Sequence, residues 1–161
     1  MTLSLTEDQA GFRSMMAQWP TGVTVVTTTG PDGPAGCTVN ALMSLSDSPP
    51  LIVLALCAGS ATLGHLRRAG KFAITVLSSG QGGLCSDFSA LPAAQRFHRT
   101  EIREVDGLPV PDGGVAALTC DVADEIPYAD HVLVVGAPRW SEIRDELSPL
   151  LVHRRELKAV L

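Results

Sequence analysis

The sequence predicts a mainly β fold, a barrel or sandwich with short helices set between the strands. Three observations carry that expectation. Many short runs rich in Val, Ile and Thr are separated by Gly, Pro, Asp and Ser. These runs do not alternate regularly with long amphipathic helices, as a doubly wound sheet would require. Aromatic residues are only 4% of a chain that is 45% hydrophobic, so the core is aliphatic. A length of 161 residues suits one domain over 1–161, because domains cluster at roughly 100–150 residues.

Taken in order, Thr6 and Gln9 form a capping-box pattern that opens a helix. Phe12, Met15, Met16 and Trp19 follow at helical spacing, and the two methionines read as core fillers. Pro20 ends that helix. Residues 22–29 are Val/Thr-rich and form a strand; Gly30-Pro31-Asp32-Gly33 turns the chain into a second strand over 36–42. Residues 51–57 are continuously apolar, the pattern of a strand buried on both faces. Ser60 caps a short helix lined by Leu63 and Leu66 and stopped by Gly70. A strand over 72–77 leads to a mostly helical stretch over 78–88 and a short helix over 92–98. Residues 109–114 read as a loop. Residues 115–126 alternate as a half-buried strand, with Ala116, Leu118, Cys120 and Val122 on one side and Thr119 and Asp121 on the other. A strand follows over 131–136, and 150–153 fits strand or helix.

Charge and motif content exclude several functions. The net charge is −5 and no basic stripe exists to neutralise a phosphate backbone, so nucleic-acid binding is not expected. No run is long and apolar enough to span a bilayer, and the N-terminus has no signal-peptide pattern. Cys37, Cys57, Cys85 and Cys120 form no C-x-x-C pair and read as small buried hydrophobes in a reducing, cytoplasmic setting without disulfides. No metal site is expected from the scattered His65, His98, His131 and His153. A G-x-G-x-x-G fingerprint, a Walker A loop and a G-x-S-x-G elbow are all missing. Asp130 and His131 are adjacent, and strand neighbours point to opposite faces, which argues against a dyad there.

The informative stretch is Pro20-Thr21-Gly22-Val23-Thr24-Val25-Val26-Thr27. It is followed by Gly36-Cys37-Thr38-Val39-Asn40-Ala41-Leu42-Met43-Ser44-Leu45-Ser46 and Pro49-Pro50-Leu51. With Phe72-Ala73-Ile74-Thr75-Val76-Leu77 and Ala129-Asp130-His131, this pattern resembles the flavin reductase family that serves two-component monooxygenases. The resemblance runs from about Phe12 to Arg154. It implies an FMN-binding split β-barrel with Greek-key topology, a homodimer with flavin near the subunit interface, and hydride transfer from NADH or NADPH to FMN or FAD. Reduced flavin would then pass to a separate monooxygenase. The alternatives are a flavoprotein of the same fold with another electron acceptor, and a dimeric flavin carrier without reductase activity.

The residue chemistry agrees with flavin. A flavin phosphate needs hydroxyls, backbone amides and a helix N-terminus, which Ser60 and Thr62 can supply. Thr38, Asn40, Ser44 and Ser46 place polar groups where a strand leaves a turn, and the Asn40 amide can both donate to and accept from the ring edge. With Thr21, Val39, Ala41, Cys57, Gln81 and Phe88, these form the expected flavin-contact set. His131 is the candidate for contact with nicotinamide or the flavin edge, or else a structural histidine. Three departures from the family pattern stand out: Ala129 for glycine before Asp130-His131, Thr75 for asparagine, and a tail reading His153-Arg154-Arg155-Glu156 where the family often has an aromatic residue after H-R-G. Arg99, Arg139, Arg154 and Arg155 are the candidates to meet a 2′-phosphate. Neither FMN against FAD nor NADH against NADPH is decided at this level.

Overall fold

A computed structural model describes residues 9–160 of the chain. The elements run α1 (Gln9–Met16), β1 (Thr21–Gly22), β2 (Thr24–Gly30), β3 (Gly33–Val39), β4 (Leu42–Asp47), β5 (Pro50–Cys57), α2 (Ala61–Ala69) and β6 (Lys71–Val76). A 3₁₀ turn (Ser79–Gln81), α3 (Gly82–Ala90) and a second 3₁₀ turn (Ala93–Gln95) follow. The chain ends in β7 (Ile102–Val105), β8 (Leu108–Pro111), β9 (Ala116–Tyr128), β10 (His131–Ile143), β11 (Leu150–His153) and β12 (Glu156–Ala159).

Seven antiparallel strands form the main sheet in the order β3-β2-β6-β9-β10-β5-β4. The sheet rolls up, because Val39 of β3 shares one buried core with Leu54 and Leu56 of β5 from near the opposite end. The seam stays open between β3 and β5. A single strand from 33 to 47 would bridge it without a break. Instead the ladder of β3 with β2 ends at Val39, and that of β4 with β5 starts at Leu42. Asn40 and Ala41 cross the gap, with Ala41 O accepting from Ala55 N at 3.0 Å. The expected strand over 36–42 is therefore two strands that serve opposite edges of a split barrel.

The expected β2 and β6 form centrally paired strands whose Val25, Val26, Phe72, Ala73 and Ile74 are fully buried. The α2 boundaries follow the residues that predict them. Ser60 Oγ accepts from Leu63 N at 3.4 Å, Gly70 adopts a left-handed φ of 67°, and Leu63 and Leu66 are buried. Residues 150–153 resolve as strand, paired with both β1 and β12.

Several expectations change. The capping residue Thr6 lies outside the described residues. The helix ends at Met16 rather than beside Pro20, and its apolar face does not join the core. Phe12, Met15, Met16 and Trp19 are all exposed on this chain. Strand β5 buries Leu54 and Leu56, while Leu51, Ile52, Val53 and Ala55 on its path are only half-buried. Residues 108–111 are strand, not loop: β7 and β8 pair as a separate ribbon through Asp106-Gly107, both at positive φ. Two-stranded edges tolerate the prolines at 109 and 111. That ribbon covers the second face of β9, so Ala117 and Thr119 are buried along with Cys120 instead of facing solvent. Thr119 Oγ1 donates to Asp106 Oδ2 at 2.6 Å. Strand β10 runs to Ile143, with register shifts at Val135/Gly136 and Pro138/Trp140 that bend it around the barrel.

Candidate active site

The open seam forms a cleft of about 400 Å³, within the usual range for small-molecule sites. One wall is the end of β3 and the crossing segment, Cys37 to Ala41. Ala55, Leu56 and Cys57 of β5 form the other. Ser60, Ala61 and Thr62 bring the N-terminus of α2 to the cleft, and Phe88, Ser89, Ala93 and Arg96 complete its lining. His131, the first residue of β10, lines the end beside Cys57.

Each group is held by its neighbours. The first-turn amides of α2 have no intrahelical acceptors and carry the positive end of the helix dipole. Thr62 is buried and hydrogen-bonds the Cys37 thiol. Burial is the larger influence on Cys37 and pushes its thiol above the ordinary value. Thr38 Oγ1 donates to Cys85 O at 2.7 Å, which ties β3 to α3. Phe88 is fully buried and meets Phe97 edge-on, with ring centroids 4.9 Å apart. Arg96 donates from Nη1 to Gly36 O at 2.7 Å and from Nε to Leu91 O at 2.9 Å, so its cation is fixed at the cleft wall.

Asp130 and His131 overturn the adjacency argument. Asp130 lies in the two-residue β9–β10 turn, not on a strand, so its carboxylate can fold back. Asp130 Oδ1 accepts from His131 Nδ1 at 2.8 Å, and that hydrogen bond holds the carboxyl below its usual range. The turn depends on Ala129 at φ 53°, a left-handed value where the family pattern has glycine. His131 Nε2 faces Cys57 Sγ at 3.5 Å. Cys57 is exposed and Cys37 and Cys85 are half-buried, so of the four cysteines read as buried only Cys120 is.

The cleft thus gathers Thr38, Val39, Asn40, Ala41, Cys57, Ser60, Thr62, Phe88 and His131 from the expected set. It does not gather the others. Gln81 is engaged elsewhere: Oε1 accepts from Ser78 N at 3.0 Å, and Nε2 donates to Asp112 O at 2.7 Å. Ser44 and Ser46 lie along β4, beyond the crossing segment. Thr21 lines a second, apolar groove of about 610 Å³, together with Met16, Trp19, Met43, Val53 and Arg154. That groove shares Asn40, Ala41 and Ala55 with the cleft. Thr75 is buried in β6 and does not line the cleft. Arg99 pairs with Asp87 and Arg139 with Asp121, while Arg154 and Arg155 border the groove; none lines the cleft. The cation that does, Arg96, carried no motif in the sequence.

The model of the flavin reductase-like domain family matches residues 16–161. The chain belongs to the flavin reductase-like family. It is 41% identical over 149 residues to a flavin reductase (NADH) of Kitasatospora aureofaciens, covering 89% of this chain and 78% of that protein. It is 32% identical over 129 residues to the reductase component of a 4-nitrophenol 4-monooxygenase/4-nitrocatechol 2-monooxygenase of Rhodococcus opacus, covering 80% and 69%. The NADH:FAD oxidoreductase SgcE6 of Streptomyces globisporus superposes with a TM-score of 0.93 at 26% identity, covering 100% of this chain and 98% of that one.

Proposed function

We infer that the protein is an NAD(P)H:flavin oxidoreductase that supplies reduced FMN or FAD to a partner monooxygenase. The observation that carries this reading is the donor set of the seam cleft. An apolar floor of Val39, Leu56 and Phe88 shares one cleft with a helix N-terminus, two hydroxyls and a fixed guanidinium. That combination fits a planar ring bearing a phosphate. When bound together, nicotinamide and flavin supply the hydride chemistry themselves. The chain's residues therefore bind and orient. The α2 amides, Ser60, Thr62 and Arg96 hold the phosphate. The Asn40 amide meets the ring edge, and His131 fixes the end where nicotinamide arrives.

Membership in the family supports the reductase reading, and the relatives named for NADH favour NADH over NADPH. The surface supports a homodimer: Met16, Trp19 and Met43 are exposed apolar side chains on a groove that shares three residues with the cleft, and Phe12 and Met15 of the same helical face are exposed as well. A second copy seated there would also wall the flavin site. The four free cysteines fit a reducing compartment, the cytoplasm. Among the described residues no helix is long and apolar enough to cross a membrane.

The test is nicotinamide oxidation by the purified protein with NADH or NADPH and added FMN or FAD. Turnover that needs both partners is expected. Saturable flavin binding without turnover would replace the reductase reading with the carrier reading.

A further inference from the structure

Three of the four cysteines are at least partly buried. Burial raises the Cys37, Cys85 and Cys120 thiols, the last to about 12 with help from the neighbouring Asp121 carboxylate. Cys57 differs: it is exposed, and it faces an imidazole that a carboxylate orients. Register builds this arrangement, because His131 and Cys57 are paired residues of β10 and β5. Asp130 accepts from Nδ1–H, which leaves Nε2 as the acceptor facing Sγ. Cys, His and Asp thus stand in the order of a nucleophile, its general base and the base's orienter. Hydride transfer between nicotinamide and flavin has no use for a thiol.

We propose that Cys57 is an activated thiol, assisted by His131 and Asp130, and a site of reversible oxidation by hydrogen peroxide. The thiol proton passes to His131 Nε2 as sulfur attacks one peroxide oxygen. An S–O bond forms, the O–O bond breaks, and the leaving hydroxide takes the proton back as water. Sulfur is oxidised by two electrons to a sulfenic acid, and peroxide is reduced. Two equivalents of a low-molecular-weight thiol return Cys57 to the thiol and leave as a disulfide with water. The thiol chemistry stands on the geometry alone. Its source of peroxide rests on the proposed function: reduced flavin that is not consumed gives two electrons and two protons to dioxygen, yielding peroxide and oxidised flavin. A sulfenic acid at the end of the cleft would then slow further flavin reduction.

The experiment treats the full chain with hydrogen peroxide and traps sulfenic acid with dimedone, mapping the adduct by peptide mass. A parallel arm measures iodoacetamide alkylation of each cysteine at pH 7. Cys57 is expected to carry the dimedone adduct and to alkylate about 10-fold or more faster than glutathione. His131→Gln should remove most of that excess. Asp130→Asn, at an exposed turn residue, should remove part of it without disturbing the fold. Cys57 reacting no faster than glutathione, or at a rate unchanged in both variants, overturns the proposal. Saturating FMN should slow the labelling. Fast, His131-dependent labelling that FMN leaves untouched upholds the thiol and instead contradicts flavin binding at this end of the cleft.

Discussion

Thr75 is the one departure from the family pattern that sits in the core. Its side chain is fully buried in β6, between Val25 of β2 and Ala117 of β9. Its Oγ1 has no hydrogen-bond partner among the described residues. A buried hydroxyl without a partner costs about 1–3 kcal/mol on protein mutational scales. Thr75→Val keeps the shape and removes that group, so it should stabilise the protein by about 1 kcal/mol. For a chain of this size that corresponds to a rise of roughly 2–4 °C in Tm. Thr28 is the internal control: it is equally buried, but its Oγ1 donates to Lys71 O at 2.8 Å. Thr28→Val should lose about 1 kcal/mol with the hydrogen bond. Urea unfolding of the three proteins, followed by circular dichroism, measures both changes. Equal losses in the two variants would show that Thr75 is satisfied in solution, and the reasoning would be refuted.

Other perturbations follow from the same contacts. Gly136→Ala places a Cβ 2.6 Å from Phe72 Cζ and 3.1 Å from Cys120 Cβ, and should destabilise by about 1–3 kcal/mol in the same unfolding assay. Ala129→Gly relieves a left-handed residue at φ 53°, worth about 1–2 kcal/mol, of which the added flexibility of unfolded glycine returns about half; a small rise in Tm is expected. Arg96→Ala should weaken FMN binding about 10-fold or more, read by quenching of flavin fluorescence, while Arg99→Ala, outside the cleft, should not. Asp112 and Glu142 are both held below their ordinary carboxylate range, Asp112 chiefly by Arg144 and Glu142 chiefly by Arg103. Stability from these groups is complete above the unfolded carboxylate range near about pH 4 and falls as pH drops through their lower folded values. Arg144→Gln should flatten that acid limb in unfolding curves taken from neutral to acidic pH.

The barrel was legible because its strands announce themselves locally. The Val/Thr run of β2, the apolar run of β5 and the capped, glycine-stopped α2 need no tertiary knowledge. What stayed hidden depends on distant partners or unusual backbone. The β11–β12 hairpin turns on Arg154 and Arg155, both at positive φ, with none of the Gly or Asn that marks such turns. Pro109 and Pro111 mask β8, although Asp106-Gly107 is an ordinary hairpin signal. The helical spacing of Phe12, Met15 and Met16 was legible, but not that this face finds no cover on its own chain. At the site, the β3–β4 motif and Ser60-Thr62 located two walls of the cleft. Arg96 was invisible, because nothing in its local sequence says that the 3₁₀ turn before it folds back onto Gly36. The Asp130–His131 pair escapes the strand rule, since adjacency separates side chains only when both residues lie on the strand.

The central claim is that flavin occupies the seam between β3 and β5. Ala61 is exposed at the first turn of α2 and lines the cleft, so Ala61→Trp fills the cleft while leaving the core untouched. The deciding measurement is an FMN fluorescence titration of this variant beside the unaltered protein. Loss of binding by about 100-fold, with circular dichroism and Tm unchanged, is the predicted result. FMN binding by the variant as tight as by the unaltered protein would place the flavin elsewhere and contradict the account.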